Sequence, residues 1–381
     1  MTHVYLDHNA TTPLDERVLE AMLPFLRQHY GNASSRHELG THARKAVNAA
    51  REQVAALVRV QPSQVIFTSG GTEANNAFIK GAAGYLRPTQ IAVSAIEHPC
   101  VAKPTQELGR AAWKVRKLAV TTDGRIDLND VRAALKEPTG LVSVMYANNE
   151  TGVIQDVPAV AELARKARAW VHTDAVQALG KIDVDFGALN VHGMTLSAHK
   201  IYGPKGAGAL VVDKRIELKP LIAGGGHEQG MRSGTENVPA IVGFGAAAQL
   251  AAERWESLAQ RLQALRVQLE AGLHEMGAII FGEGAPRVPN TSYFAFRHID
   301  GETLVVELDK LGFAVAAGAA CSSASTEPSA TLIAMNVERE LARGAVRLSL
   351  GVANTEDEVA RFVQAVRGLV KRLRGLTAMA V

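Results

Sequence analysis

The chain has 381 residues, 47% hydrophobic and 21% charged, enough to bury one large core or a large and a small one. With 41 basic and 38 acidic residues the net charge is +3 and no block of one sign stands out, which argues against a dedicated nucleic-acid surface. Two cysteines exclude a disulfide framework and a structural zinc site, and no apolar run is long enough to span a membrane.

The N-terminal Met1-Thr2-His3-Val4-Tyr5-Leu6-Asp7 lacks the basic-then-apolar pattern of a signal peptide, so a cytoplasmic protein in a reducing compartment is expected. From residue 64 to 215 short β-rich runs alternate with helical patterns. Strands are expected at 64–68, 90–94, 114–119, 141–146, 169–173, 194–197 and 208–212, with amphipathic stretches such as 127–135 and 157–168 between them. That alternation predicts an α/β fold with a mainly parallel seven-stranded sheet and helices on both faces. A long helical region over 239–276 follows. Beyond it come a strand at 290–296, a helix at 302–311, a strand at 346–350 and a helix at 355–373, acidic early and basic late as the helix dipole prefers. The basic cluster Val370-Lys371-Arg372-Leu373-Arg374 reads as the solvated face of that last helix. We expect a large domain over 16–254 and a smaller α+β domain built from 1–15 and 255–381.

In open α/β sheets ligands collect beyond the carboxyl ends of the strands. The residues with chemistry fall there: Thr68-Ser69-Gly70-Gly71-Thr72, Glu97-His98, Asn148-Asn149-Glu150, Asp174 and Lys200 all follow expected strands. Lys200, in Ser197-Ala198-His199-Lys200-Ile201-Tyr202-Gly203-Pro204, ends an apolar run. A lysine able to form a Schiff base, with a carboxylate such as Asp174 to pair a pyridinium nitrogen, is the minimum equipment for pyridoxal phosphate chemistry. The Gly70-Gly71 turn into a helix, with the Thr72 hydroxyl, suits a phosphate and does not match the nucleotide P-loop. His98 is placed to stack on the ring, and Gln177 with Asn149 to bond the cofactor's phenolic oxygen. Arg347 opens a short apolar strand. It would clamp an α-carboxylate, with a structural salt bridge as the plainer alternative. Cys321 sits among small residues in Ala317-Gly318-Ala319-Ala320-Cys321-Ser322-Ser323-Ala324, unlike a buried structural cysteine, and the stretch from it to Arg347 reads as a partly helical segment or a functional flap. Cys100, after Pro99, reads as inert.

These residues resemble the cysteine desulfurases of the NifS/IscS type, a group of class V aminotransferases within the fold-type I pyridoxal phosphate enzymes. The resemblance runs from Tyr5-Leu6-Asp7-His8-Asn9-Ala10-Thr11-Thr12 through Gly31-Asn32-Ala33-Ser34-Ser35 to Arg347-Leu348-Ser349-Leu350. Its most specific segments are Asn148-Asn149-Glu150-Thr151-Gly152, His172-Thr173-Asp174-Ala175-Val176-Gln177, the Lys200 segment, and Ala320-Cys321-Ser322-Ser323 with Glu327-Pro328-Ser329.

The resemblance implies that Lys200 carries the cofactor, His98 stacks on its ring, Asp174 pairs the ring nitrogen, and Asn149 and Gln177 hold its edge. Gly71, Thr72, Ser197 and His199 would bind the phosphate, and Thr235 in Arg232-Ser233-Gly234-Thr235 would reach the phosphate of a partner subunit, implying a homodimer. Arg347, with Asn149, would receive the carboxylate of the substrate L-cysteine, and Cys321 would take its sulfur as a persulfide and release L-alanine. The implied recipient is an iron–sulfur scaffold or another sulfur-acceptor protein. No metal site is implied, beyond Cys321 transiently sharing an iron–sulfur cluster with such a scaffold. Two departures stand out: Gln229 occupies a position where arginine is common, and the stretch Gly375-Leu376-Thr377-Ala378-Met379-Ala380-Val381 lacks the longer tail with which some members dock a scaffold. The alternatives are a selenocysteine lyase or an aminotransferase of the same fold in which Cys321 is incidental, and, from another class, a non-catalytic sulfur carrier.

Overall fold

A computed structural model describes residues 3–318 and 327–379. In chain order the strands are β1 (Val4–Tyr5), β2 (Val65–Thr68), β3 (Gln90–Ser94), β4 (Lys114–Leu118), β5 (Thr139–Ser143), β6 (Trp170–Asp174), β7 (Gly193–Ser197), β8 (Gly208–Val212), β9 (Ile279–Ile280), β10 (Thr291–Ala295), β11 (Phe313–Ala314), β12 (Ala316–Ala317) and β13 (Val346–Ser349). The helices are α1 (Glu16–Arg27), α2 (Glu38–Leu57), α3 (Gly71–Tyr85), α4 (Pro99–Gly109), α5 (Leu128–Ala134), α6 (Val157–Lys166), α7 (Phe186–Leu189), α8 (Val238–His274), α9 (Gly301–Lys310), α10 (Ala330–Ala334), α11 (Arg339–Arg343) and α12 (Glu356–Met379). None of the helices among the described residues is long and apolar enough to cross a membrane.

Strands β2 to β8 form a seven-stranded sheet in the order β2-β8-β7-β6-β5-β3-β4. Neighbours from β7 through β4 run parallel, while β8 is antiparallel to both β7 and β2. The expected sheet is present, and each expected strand coincides with an observed one to within a few residues. Strands β3, β7 and β8 are buried along their whole length because both faces are covered. One core packs α1, α2, α6 and α8 against Val65, Phe67, Val142 and Val171, and another sets α3 against Ile66, Ile91, Leu141 and Leu210. Edge strand β4 carries Lys114, Arg116 and Lys117, charges that discourage pairing with another edge.

The long helix α8 serves two cores. Its residues up to Ala251 belong to the large sheet's core, and those from Leu262 to Leu273 join Phe294, Phe296, Leu348, Phe362 and Val366 in a second one. That second core is floored by the four-stranded antiparallel sheet β12-β13-β10-β9, and β1 pairs with β11 beside it. The stretch before Arg347 contains α10 and α11, in keeping with the partly helical reading.

Helix N-termini show one informative contrast. Helices α5, α6, α8, α9 and α10 are capped by the side chains of Asp127, Asp156, Asn237, Asp300 and Ser329. Helix α3 begins after Gly70 with no side-chain cap, so its first N–H groups are left for something else.

Candidate active site

The Gly70–Gly71 turn is held tightly to the sheet. A side chain at Gly208, the first residue of β8, would put its Cβ 2.6 Å from the Gly70 backbone, and Gly70 itself has φ of 155°. Glu73 ties the turn down: one of its oxygens accepts the Ser69 N–H at 2.9 Å and the other accepts Arg232 Nε at 2.9 Å. Next to the turn, Ser197 at the end of β7 is buried and its Oγ has no partner. Uncapped helix N–H groups and an unpaired buried hydroxyl side by side are what a phosphate group would satisfy.

Asp174 ends β6 and is 5% exposed. Its carboxylate accepts from Asn75 Nδ2 at 2.7 Å and from the Val176 N–H at 3.0 Å. Both donors are uncharged, so they fix the carboxylate without neutralising it, which suits a protonated pyridine nitrogen. Beside it, His98 caps α4: its Nδ1 accepts the Cys100 N–H at 3.2 Å and lies 2.8 Å from Cys100 Sγ. An accepting Nδ1 places the proton of the neutral ring on Nε2. Burial lowers the His98 pKa, Asp174 opposes that, and Lys200 adds to the lowering, so the neutral imidazole is favoured.

Cys100 also receives Asn75 Nδ2 at 3.0 Å, and burial, then Asp174, push its thiol up to about 12. It stays protonated and is a poor nucleophile, which agrees with the inert reading.

Lys200 follows β7 on a short turn, and its Nζ donates to the carbonyls of Asn9 and Ala10. His199 bonds Thr11 Oγ1 through Nδ1 at 3.1 Å, and burial, then Lys200, lower its pKa to about 4. The turn presenting Asn149 is shaped by Asn148, whose Oδ1 accepts the N–H groups of Glu150 and Thr151, both at 2.9 Å. Gln177 donates from Nε2 to the Asn9 carbonyl at 2.9 Å.

The fold thus brings Gly71, Thr72, His98, Asn149, Asp174, Gln177, Ser197, His199 and Lys200 onto the wall of one cavity of about 270 Å³. A second hollow of about 420 Å³ shares Gly71, Thr72, Ser197 and His199 with it, at the phosphate-suited turn. The residues present fit pyridoxal phosphate. Two expected site residues, Thr235 and Arg347, are not on that wall. Thr235 is exposed, although Arg232 tethers its segment to the turn. Arg347 lies behind Asn149, donating from Nη1 to its carbonyl at 3.0 Å and from Nη2 to Asp7 Oδ1 at 2.7 Å. Cys321 lies outside the described residues.

Several contributors were not singled out from the sequence. Asn75, inside α3, fixes Asp174. Asn9 is a hub: its carbonyl accepts Lys200 and Gln177, while its side chain bonds the Asn149 carbonyl, Thr291 and Lys181. Asn9 stands in the N-terminal motif that carried the resemblance, the one available signal.

The aminotransferase class-V family profile matches residues 4–362. A cysteine desulfurase IscS of Anaeromyxobacter sp. (strain Fw109-5) is 43% identical, with 99% of this chain and 94% of the relative covered. A solved NifS-like protein superposes with a TM-score of 0.92 at 39% identity, covering 97% of this chain and 100% of its own. A structure described as SspA in complex with cysteine superposes at 0.82 with 32% identity, covering 91% of this chain and 98% of its own. The chain belongs to the class-V aminotransferases and, among these pyridoxal-phosphate-dependent enzymes, to the cysteine desulfurases of the NifS/IscS type.

Proposed function

We propose that the protein removes the sulfur of L-cysteine as a persulfide on Cys321, releases L-alanine, and passes the sulfur to an acceptor such as an iron–sulfur scaffold. The observation that carries this reading is the meeting of Lys200, Asp174 and His98 in one cavity beside the uncapped N-terminus of α3. When bound, pyridoxal phosphate supplies an electrophilic carbon for the substrate amine and a ring that takes up the electrons released when Cα loses its proton.

The chain's residues do the rest. Lys200 would hold the cofactor through Nζ and, when free as an amine, would carry the Cα proton there. Asp174 keeps the ring nitrogen protonated, and Asn75 keeps Asp174 in place. Gly71, Thr72, Ser197 and His199 would hold the phosphate, and Asn149 and Gln177 would bond the ring oxygen. Arg347 receives the substrate carboxylate. The Cys321 thiolate attacks the substrate sulfur, an S–S bond forms as the Cβ–S bond breaks, and the departing carbon gains the electron pair and then a proton. Thr235, exposed and off the cavity wall of its own chain, is assigned to the phosphate of a partner subunit, which makes the working unit a homodimer. A cytoplasmic setting, where thiols stay reduced, suits this chemistry.

The test is incubation of the purified protein with L-cysteine and a reductant, measuring sulfide and alanine for wild type and Cys321→Ala. Equimolar products, lost in the variant, support the reading. Alanine formation untouched by the substitution would overturn the Cys321 persulfide and favour an aminotransferase or selenocysteine lyase.

A further inference from the structure

A second lysine lies under the cofactor cavity, and the reaction above makes no use of it. Lys181 is buried at the end of the segment that follows β6, and its Nζ donates to Gln177 Oε1 at 2.6 Å and to Asn9 Oδ1 at 2.9 Å. Among the described residues no carboxylate pairs with it. The charged or titratable groups facing it are Lys200, Arg347 and His8. Burial, with Lys200 and Arg347 nearby, holds its pKa well below the usual lysine range, and its Nζ spends two N–H bonds on two amide oxygens.

A buried amine without a counter-charge is a poor device for stability, since an apolar side chain of similar length would fill the same space. Its position explains something else. The two ends of a glutamine amide have nearly the same shape and differ only in what they can donate or accept. Lys181 occupies Oε1 of Gln177, while Nε2 donates one hydrogen to the Asn9 carbonyl at 2.9 Å. A flipped amide would set Oε1 against that carbonyl oxygen and turn the Nε2 hydrogens toward an Nζ that is itself donating. With the amide held as it is, the second N–H of Nε2 is the group Gln177 can offer to the cavity it lines.

We propose that Lys181 is a positioning residue, which fixes Gln177 so that an N–H and not a carbonyl oxygen meets the ring oxygen of pyridoxal phosphate. This rests on reading the cavity as the pyridoxal phosphate site. An N–H donated to that ring oxygen competes for the electron pair that would otherwise hold the neighbouring proton. Losing it raises the proton affinity of the bound cofactor, and the midpoint of its absorbance change with pH moves upward.

The experiment titrates the visible absorbance of the cofactor-loaded protein against pH for wild type, Lys181→Met, Gln177→Ala and the double variant. Lys181→Met is expected to raise the midpoint by about one pH unit, a tenfold change in proton affinity. In the Gln177→Ala background the same substitution is expected to change nothing, because its effect passes through Gln177. Lys181→Leu, read by the same criterion, covers the case in which the methionine variant does not fold. A midpoint indifferent to Lys181, or moved equally in both backgrounds, overturns the proposal alone. A wild-type protein that takes up no pyridoxal phosphate overturns the site reading and the proposal with it.

Discussion

Arg347 and Asp7 hold each other beside the second core, next to its Leu6, Val346 and Leu348: Arg347 Nη2 donates to Asp7 Oδ1 at 2.7 Å, and both side chains are largely buried. The structural salt bridge weighed for this arginine therefore exists. It does not use up the guanidinium, because Nε is buried without a partner while Nη1 bonds the Asn149 carbonyl beside the cavity. A substrate carboxylate arriving there would find one donor waiting and one held by a competing carboxylate.

Two substitutions separate these roles. Arg347→Lys removes the planar fork, and losing a charge-assisted bond of ~1.5–3 kcal/mol predicts a KM for L-cysteine raised about ten- to a hundredfold. Asp7→Asn keeps an oxygen acceptor for Arg347 but removes the competing charge, so KM should fall severalfold with kcat little changed. Steady-state alanine release measures both. An unchanged KM in Arg347→Lys would leave Arg347 with its salt-bridge role only.

The loop that precedes Arg232 is stapled by a buried ion pair. Glu228, 7% exposed, takes both nitrogens of Arg51 at 2.6 and 2.7 Å and the Phe67 N–H of β2 at 2.8 Å. The staple holds Glu228 and Gln229 at φ of 49° and 60°, in the left-handed region that side chains avoid. Glu228→Ala should cost ~3–5 kcal/mol in urea unfolding, because Arg51 is left buried and uncompensated. Gln229→Gly should instead stabilise by about 1 kcal/mol through relief of the backbone. Among the described residues the exposed Gln229 side chain makes a hydrogen bond to the Ser63 carbonyl at 3.1 Å, away from the cavity wall, so Gln229→Arg is expected to leave activity unchanged.

The seven-stranded sheet was legible because its strands are short, apolar and bounded by turn residues, and the residues just after them could be placed on one edge by the parallel-sheet rule alone. Helices α1 and α2 were not read. The buried face of α2 is made of Ala43, Val47, Ala50 and Val54, which keep the helical spacing with small side chains and raise little hydrophobic contrast. The supports of the site were hidden for a different reason. Asn75 is an ordinary polar residue inside a helix until the fold turns it toward Asp174, and Lys181 reads as a surface lysine until Asn9 and Gln177 close over it. Their roles exist only in tertiary contacts between segments far apart in sequence, and no local pattern announces them. Glu150 is similar: its carboxylate gathers Ser329, Thr331 and Tyr293, none of them near it in the chain.

Glu97 gives a pH signature of the same buried region. One of its oxygens accepts the Met145 N–H at 2.5 Å, and the other is buried without a partner. Burial, and after it the nearby Asp174, push its carboxyl up to about 8. Between its ordinary value of 4.5 and about 8 the folded protein keeps a proton that the unfolded chain has released, so stability falls as pH rises through that window. The buried histidines act the other way at lower pH. His172 is held near 3 and His8 near 4 by burial, so the unfolded chain takes up their protons first and stability falls as pH drops below about 6.5. At pH 6.5 these histidines are still half protonated in the unfolded chain and only near pH 8 are they neutral in both states, so the Glu97 slope is isolated by difference from a variant that lacks its carboxyl. Urea unfolding of the cofactor-free protein should lose about 2 kcal/mol from pH 6.5 to 8 on account of this one group, following ~1.4 kcal/mol per pH unit. Glu97→Gln keeps the acceptor for Met145 and removes the titration, so its stability should decline less across the same range by that amount. Parallel pH dependences for the two proteins would show that Glu97 is already ionised in the folded state.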